Sequence, residues 1–133
     1  MRSAHPEQIV RHPGKFFIDG RWVDPSSTSR IDVLDSATEE LFLSVAEAQA
    51  ADVNAAVSAA RAAFDRGPWP RMSHQERAEH MRALARELDK RADKHAEIWT
   101  RESGVLFSAA KARMPGLGAT YNYYADLAQT YPF

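Results

Sequence analysis

Phe16-Phe17-Ile18-Asp19-Gly20-Arg21-Trp22-Val23 sets two β-prone triplets on either side of Asp-Gly. That dipeptide accepts positive φ at both centres of a type I′ turn, so the stretch predicts a β-hairpin. Toward the N-terminus, residues 1–14 carry Pro6, Pro13 and Gly14 among polar residues without a hydrophobic period. They predict a flexible N-terminal arm, ordered only where a partner surface holds it. Toward the C-terminus, Pro25-Ser26-Ser27-Thr28-Ser29 reads as a polar loop. Arg30 to Leu34 and Leu41 to Ala46 then read as two more short strands around a turn from Asp35 to Glu40. The front third is therefore β.

The period changes at Asp52. Val53, Val57, Ala60 and Phe64 recur at helical spacing, predicting a helix of about 15 residues that Gly67-Pro68 ends. Its alanines (Ala55, Ala56, Ala59, Ala60, Ala62, Ala63) favour helix and leave a low-relief surface built to be covered. Ser73-His74-Gln75-Glu76 has the capping-box pattern: the Ser73 hydroxyl accepts from the Glu76 amide and the Glu76 carboxylate reaches back, so a helix starts at His74. Ala78, Met81, Leu84, Ala85, Leu88 and Ala92 keep its period, and Ala96 and Trp99 resume it up to Gly104. One long helix follows, or two with a bend near Arg91. A last helical stretch covers roughly Val105 to Gln129, kinked or split by Pro115-Gly116. The expected fold class is α+β and predominantly helical, with an N-terminal β-hairpin and short strands followed by three to four helices.

With 44% hydrophobic and 26% charged residues and a formal net charge of -1, the 133 residues have a globular composition without an electrostatic pull toward polyanions. No nucleic-acid partner is expected. No apolar run approaches the ~20 residues that cross a bilayer, so no membrane is expected either, and the polar start from Met1 to His12 does not resemble a signal peptide. The expected compartment is cytoplasmic. Cysteine is absent, which excludes disulfides, thiolate metal sites and any mechanism with a cysteine nucleophile within this chain.

Local motifs offer little chemistry. Pro115-Gly116-Leu117-Gly118-Ala119-Thr120 could cradle a phosphate, but a dinucleotide fingerprint needs a buried strand before its glycines, and a helical pattern precedes these. A kinked helix passing close to another backbone is the reading preferred here. His5, His12, His74, His80 and His95 show no i, i+4 pair and no metalloprotease frame. The basic ridge Arg82, Arg86, Lys90, Lys94 is neutralised by Glu79, Glu87, Asp89, Asp93 and Glu97, with Glu87 and Arg91 a favourable pair. Tyr121, Tyr123, Tyr124, Tyr131 and Phe133 gather aromatic surface at the C-terminus, which reads as packing. Apolar residues up to Phe133 are what a severed domain would show.

The order of these features is recognisable. Phe17-Ile18-Asp19-Gly20-Arg21-Trp22-Val23, then Val33-Leu34-Asp35-Ser36-Ala37-Thr38-Glu39-Glu40, resembles the opening hairpins of the NAD(P)-dependent aldehyde dehydrogenase superfamily. Asp52 to Val57 with Ala59 to Phe64 resembles that family's first helix, Trp69 its tryptophan and Glu76-Arg77-Ala78 its second helix. Glu102-Ser103-Gly104 is similar to the acidic-x-Gly turn, and Tyr123-Tyr124-Ala125 to the "Y-Y-A" helix. The matches run in order over about residues 16 to 128. Departures are Asp35 and Ser36 in a turn that usually holds asparagine and proline, Val105 where lysine is common, and Pro115 within a helix that is normally continuous.

The resemblance implies that residues 15–133 are an incomplete N-terminal part of a coenzyme-binding (α/β) domain, with first strands and outer helices present and the coenzyme core downstream. NAD or NADP is the coenzyme it implies for the parent family, and none is expected bound to this chain. In that family a cysteine thiolate attacks the aldehyde, hydride passes to the nicotinamide and a glutamate activates the water that releases the acid. No catalytic or coenzyme-binding residue carries over. Two minor sites do: Glu102 with the carbonyls of Val33 and Leu34 matches a structural monovalent-cation site, and Ala112 and Gly116 fall where a helix borders the substrate tunnel. The expected function is an N-terminal fragment of an aldehyde dehydrogenase, inactive alone, whose partners are the missing remainder of the enzyme or further copies in a homo-oligomer. The alternative is a helical interaction protein that dimerises through exposed apolar helix faces.

Overall fold

The structure, a computed structural model, describes residues 10–133. It divides into two compact units, the first running to Gly67 and the second from Pro68 to Phe133. Most of the expected arm, residues 1–9, lies outside the described residues. The Pro13 carbonyl next to it accepts from the Ala46 amide at 2.9 Å, and the His12 ring lies 4.4 Å from that of Trp22.

In the first unit, β1 (Phe16–Ile18) and β2 (Arg21–Val23) pair antiparallel with Ile18 opposite Arg21. Asp19 at φ 54° and Gly20 at φ 73° make the turn, the two positive-φ positions that Asp-Gly tolerates where β-branched residues would not. A second antiparallel pair, β3 (Arg30–Leu34) and β4 (Leu41–Ala46), carries a register irregularity between Val33 and Leu34. Its connection is held by Asp35, whose carboxylate accepts from the Ala37 amide at 3.0 Å and whose backbone exchanges bonds with Glu39 and Glu40. Asp35 thus supplies the local acceptor that suits an Asx turn.

Helix α1 (Ala50–Arg66) follows. It begins slightly before the Asp52 read from the sequence, and Gly67 ends it as expected, its amide bonded to the Ala63 carbonyl at 2.9 Å. The apolar stripe of α1 is not covered: Val53, Val57 and Phe64 remain 51%, 60% and 64% exposed. Buried residues of this unit, among those described, are Phe42 and Ala46 on β4 and the carboxylate-bearing Asp52.

The second unit is helical. After a 3₁₀ turn (Trp69–Arg71), α2 (His74–Lys90) and α3 (Ala92–Ser103) are separated at Arg91, with φ -110° and ψ 9° outside the helical range, and Gly104 closes α3 in the left-handed region. The bend expected near Arg91 is a break between two helices. The last stretch splits into α4 (Phe107–Arg113) and α5 (Gly116–Thr130), because Pro115 has no amide to continue the ladder. Five helices are present among the described residues, and the α+β, mainly helical class stands.

The core of this unit is made of small residues. Ala78 and Ala85 on α2, Ala96 on α3, Ala110 on α4, and Gly118 and Ala125 on α5 are all buried, whereas Leu84 on the stripe of α2 is exposed. Alanine and glycine let helix backbones approach closely, so helices α2 and α5 meet on them instead of on interdigitating leucines. At Gly118 a β-carbon would come 2.3 Å from Asp89 Oδ1. The close approach expected near Pro115-Gly116 is therefore made by Gly118, and to a side chain; Gly116 faces open space. No helix among the described residues is long and apolar enough to cross a membrane.

Candidate functional site

The sequence names three places for chemistry. Val33, half-buried, and Leu34, exposed, end β3 at the register irregularity, while Glu102 is an exposed residue near the end of α3 in the second unit. Ala112 lies on α4 and Gly116 at the first position of α5, both exposed, with the Met114-Pro115 break between them. The two residues expected to border a substrate tunnel thus belong to two separate helices. Pro115 to Thr120 is the third place, and its geometry disfavours a phosphate: the Asp89 carboxylate stands against the Gly118 backbone, so an anion there would meet a like charge. Both strand pairs are antiparallel, so no parallel βαβ turn of the kind that holds a dinucleotide pyrophosphate is formed by the described residues. They do not fit the coenzyme.

The displaced carboxylates are structural. Asp52, at the start of α1, accepts from the Gln49 amide at 2.9 Å, the Ser26 hydroxyl at 2.7 Å and the Ser26 amide at 2.9 Å. These donors, Gln49 first and the Ser26 hydroxyl next, hold its pKa below the ordinary aspartate value. Glu76 is lowered by the Ser73 amide, 2.8 Å away, then by the Ser73 hydroxyl, which is the predicted capping box in place. Lys90 first and Arg91 next bring Glu87 down to about 2. All three are held ionised, which suits a hydrogen-bond acceptor and not a general acid near neutral pH. Among the described residues, no three His, Cys, Asp or Glu side chains gather closely enough to hold a metal ion.

In the predicted basic ridge Arg82 bonds Asp126 at 2.8 Å and Lys90 bonds Glu87 at 2.7 Å. Arg77, read only as part of a resemblance, donates to the Met72 carbonyl at 2.9 Å and the Pro70 carbonyl at 3.4 Å, pinning the turn before α2. The aromatic cluster packs partly on itself, with Tyr123 against Tyr124 and Phe133 against Tyr131 and His74, but Tyr123, Tyr124, Tyr131 and Phe133 stay largely exposed.

The concave surface of the first unit is apolar. One groove of 340 Å³ runs between Phe17 to Gly20 and the α1 alanines Ala56, Ala59, Ala60 and Ala63. Another of 320 Å³ runs between Phe16 to Ile18 and Ala48, Val53, Ala56 and Val57. Sequence reasoning found the alanine face but missed Asp52 as its anchor. The Gln49-x-x-Asp52 spacing was the available signal; Ser26 had none.

Fold and site together define a helix-rich α+β segment whose Asp52, Glu76 and Glu87 carboxylates serve its own architecture and whose two grooves between the hairpin and α1 are mainly apolar. The sequence model of the aldehyde dehydrogenase family matches residues 22–132, and the chain belongs to that family. It is 38% identical over 115 residues to aldehyde dehydrogenase 1 of Tanacetum cinerariifolium, covering 86% of this chain and 23% of that protein. It is 36% identical over 125 residues to the mitochondrial aldehyde dehydrogenase family 2 member B4 of Arabidopsis thaliana, covering 93% of this chain and 23% of the relative. Among solved structures, a mutant of aldehyde dehydrogenase C from Pseudomonas syringae, complexed with NAD+ and octanal, superposes with a TM-score of 0.84 at 36% identity, over 92% of this chain and 25% of that one. The NAD-dependent enzyme of Sinorhizobium meliloti gives 0.79 at 37% identity, over 85% and 23%. The chain thus spans about a quarter of the length of the proteins it matches, corresponding to an N-terminal segment of the family.

Proposed function

We propose that this chain supplies the outer, N-terminal part of the coenzyme-binding domain of an NAD(P)-dependent aldehyde dehydrogenase and oxidises no aldehyde by itself. One observation carries the reading: the 133 residues include no cysteine, so no thiolate within them can add to a carbonyl to form the thiohemiacetal from which hydride leaves. The NAD+ and octanal of the Pseudomonas syringae structure support nicotinamide coenzyme and aldehyde as ligands of the whole protein. This chain's own residues contribute architecture. Asp52 and Ser73 hold helix starts, and the hairpin and α1 present an apolar face.

The purified chain, incubated with NAD+ or NADP+ and straight-chain aldehydes, is expected to give no reduced coenzyme. A coenzyme-dependent rise in NAD(P)H absorbance would overturn the reading. The exposure of Val53, Val57 and Phe64 on one helix favours a second reading, a self-standing interaction protein that dimerises through that face. A strictly monomeric chain at high concentration by light scattering removes it.

A further inference from the structure

We propose that the second unit binds a small single-ring aromatic carboxylate, of the benzoate class, in the cavity between the start of α2 and the later turns of α5, with Arg77 as its charge partner. All residues of this site belong to the second unit, and it stands apart from the function proposed above.

The cavity measures 140 Å³. A cavity of about 150 Å³ lined by apolar side chains holds one benzene, so the space suits one six-membered ring. Ala78 on α2 and Ala125 on α5, both buried, line it. The two helices meet on small residues there and leave no long side chain to fill the gap. Trp69, His74, Tyr124 and Phe133 bring four rings to its border, and His74 and Phe133 stack at 3.7 Å, 7° from parallel. Ring faces and edges of this kind favour a flat aromatic guest over a puckered one.

Arg77, which also lines the cavity, supplies the polar end. Its Nη2 donates to the Met72 and Pro70 carbonyls, while its Nε is buried and bonds to no acceptor. A buried donor left unmet is unfavourable until an acceptor reaches it. The two carbonyls carry no net charge, and Arg77 forms no ion pair among the described residues. The neighbouring Glu76 carboxylate is taken up by Ser73. A ligand that brings both an acceptor and a negative charge therefore suits the site better than a neutral one, since charge-assisted bonds to a guanidinium are the stronger kind. Ring and carboxylate together define the ligand class.

The test titrates benzoate at neutral pH into the whole chain carrying ¹³C-methyl methionine, which places one reporter at Met81 on the cavity border and another at Met114 away from it. Benzoate is expected to shift the Met81 methyl signal saturably and to leave Met114 unmoved. Benzamide, its neutral counterpart, and cyclohexanecarboxylate, its puckered one, should each bind at least about tenfold more weakly. Ala128→Leu fills the cavity from α5 and Arg77→Gln removes the charge; both should lose at least about tenfold in affinity for benzoate. Arg61→Gln removes the same charge from α1 of the first unit and should bind as wild type does. Circular dichroism establishes folding of each variant. Because Arg77 also holds the turn before α2, the benzamide comparison and Ala128→Leu decide the matter if Arg77→Gln does not fold. No saturable shift at Met81, equal affinity for benzamide, or undiminished binding by folded Ala128→Leu would each overturn the site.

Discussion

Asp52 and Ser26, 26 positions apart, are joined twice: the Ser26 amide and the Ser26 hydroxyl both donate to the Asp52 carboxylate, at 2.9 and 2.7 Å. The Gln49 amide adds a third bond, so one acid caps α1 and fastens the loop after β2 to it. Asp52→Ala removes every acceptor from three donors. Its melting temperature is expected to fall by roughly 5 °C or more in thermal denaturation, and a value unchanged from wild type would show that the clasp contributes nothing.

The same carboxylate sets an acid limit. Its folded pKa lies below the ordinary aspartate value because of Gln49 and Ser26, so its contribution is full above the unfolded pKa and is lost as pH falls through the folded one. Thermal melts from neutral pH downward should show a constant gap between wild type and Asp52→Asn until about pH 4, narrowing below it. A gap independent of pH down to strong acid would contradict the assignment.

Gly118 and Asp89 define the contact between α5 and α2. Gly118→Ala places a methyl group 2.3 Å from Asp89 Oδ1, which forces the acid aside and offsets the helix propensity of up to about 1 kcal/mol that alanine adds. The single variant is expected to be neutral or destabilised. In the Asp89→Ala background the same change should stabilise by up to about 1 kcal/mol, measured as a double-mutant cycle in urea. Additive effects would mean that the two residues do not meet.

Ser73→Ala breaks the capping box at the start of α2, where the Ser73 hydroxyl accepts from the Glu76 amide at 3.2 Å. The expected cost is about 1 kcal/mol by urea denaturation, with Ser73→Asp close to wild type. An unchanged midpoint for the alanine variant would argue that solvent caps the helix equally well.

Ala125 on α5 is fully buried. Ala125→Leu should destabilise by about 1–3 kcal/mol through overpacking. A neutral result would mean that the helix pair has slack which the closeness of its small-residue contact does not show.

Much of this was legible in the sequence because it is local. Asp19-Gly20, the Ser73 box, an irregularity near Arg91 and an interruption at Pro115-Gly116 each depend on residues within a few positions, where backbone sterics and short-range hydrogen bonds decide the outcome; that each irregularity separates two helices was seen only in the structure. The order of the family's motifs was legible for the same reason. The candidate cation and tunnel residues came from resemblance, and only their places along the chain could be read.

The sequence by itself determined the succession of strands and helices, and the lack of a sulfur nucleophile within these residues, since both are properties of neighbours in the chain or of composition. Tertiary structure alone decided that Ser26 would find Asp52, that Gly118 and not Gly116 would make the close approach, that alanines would form the helical core, and that the α1 stripe would stay open. Such pairings join residues distant in sequence, so periodicity shows that a face exists while only the folded arrangement shows what lies against it.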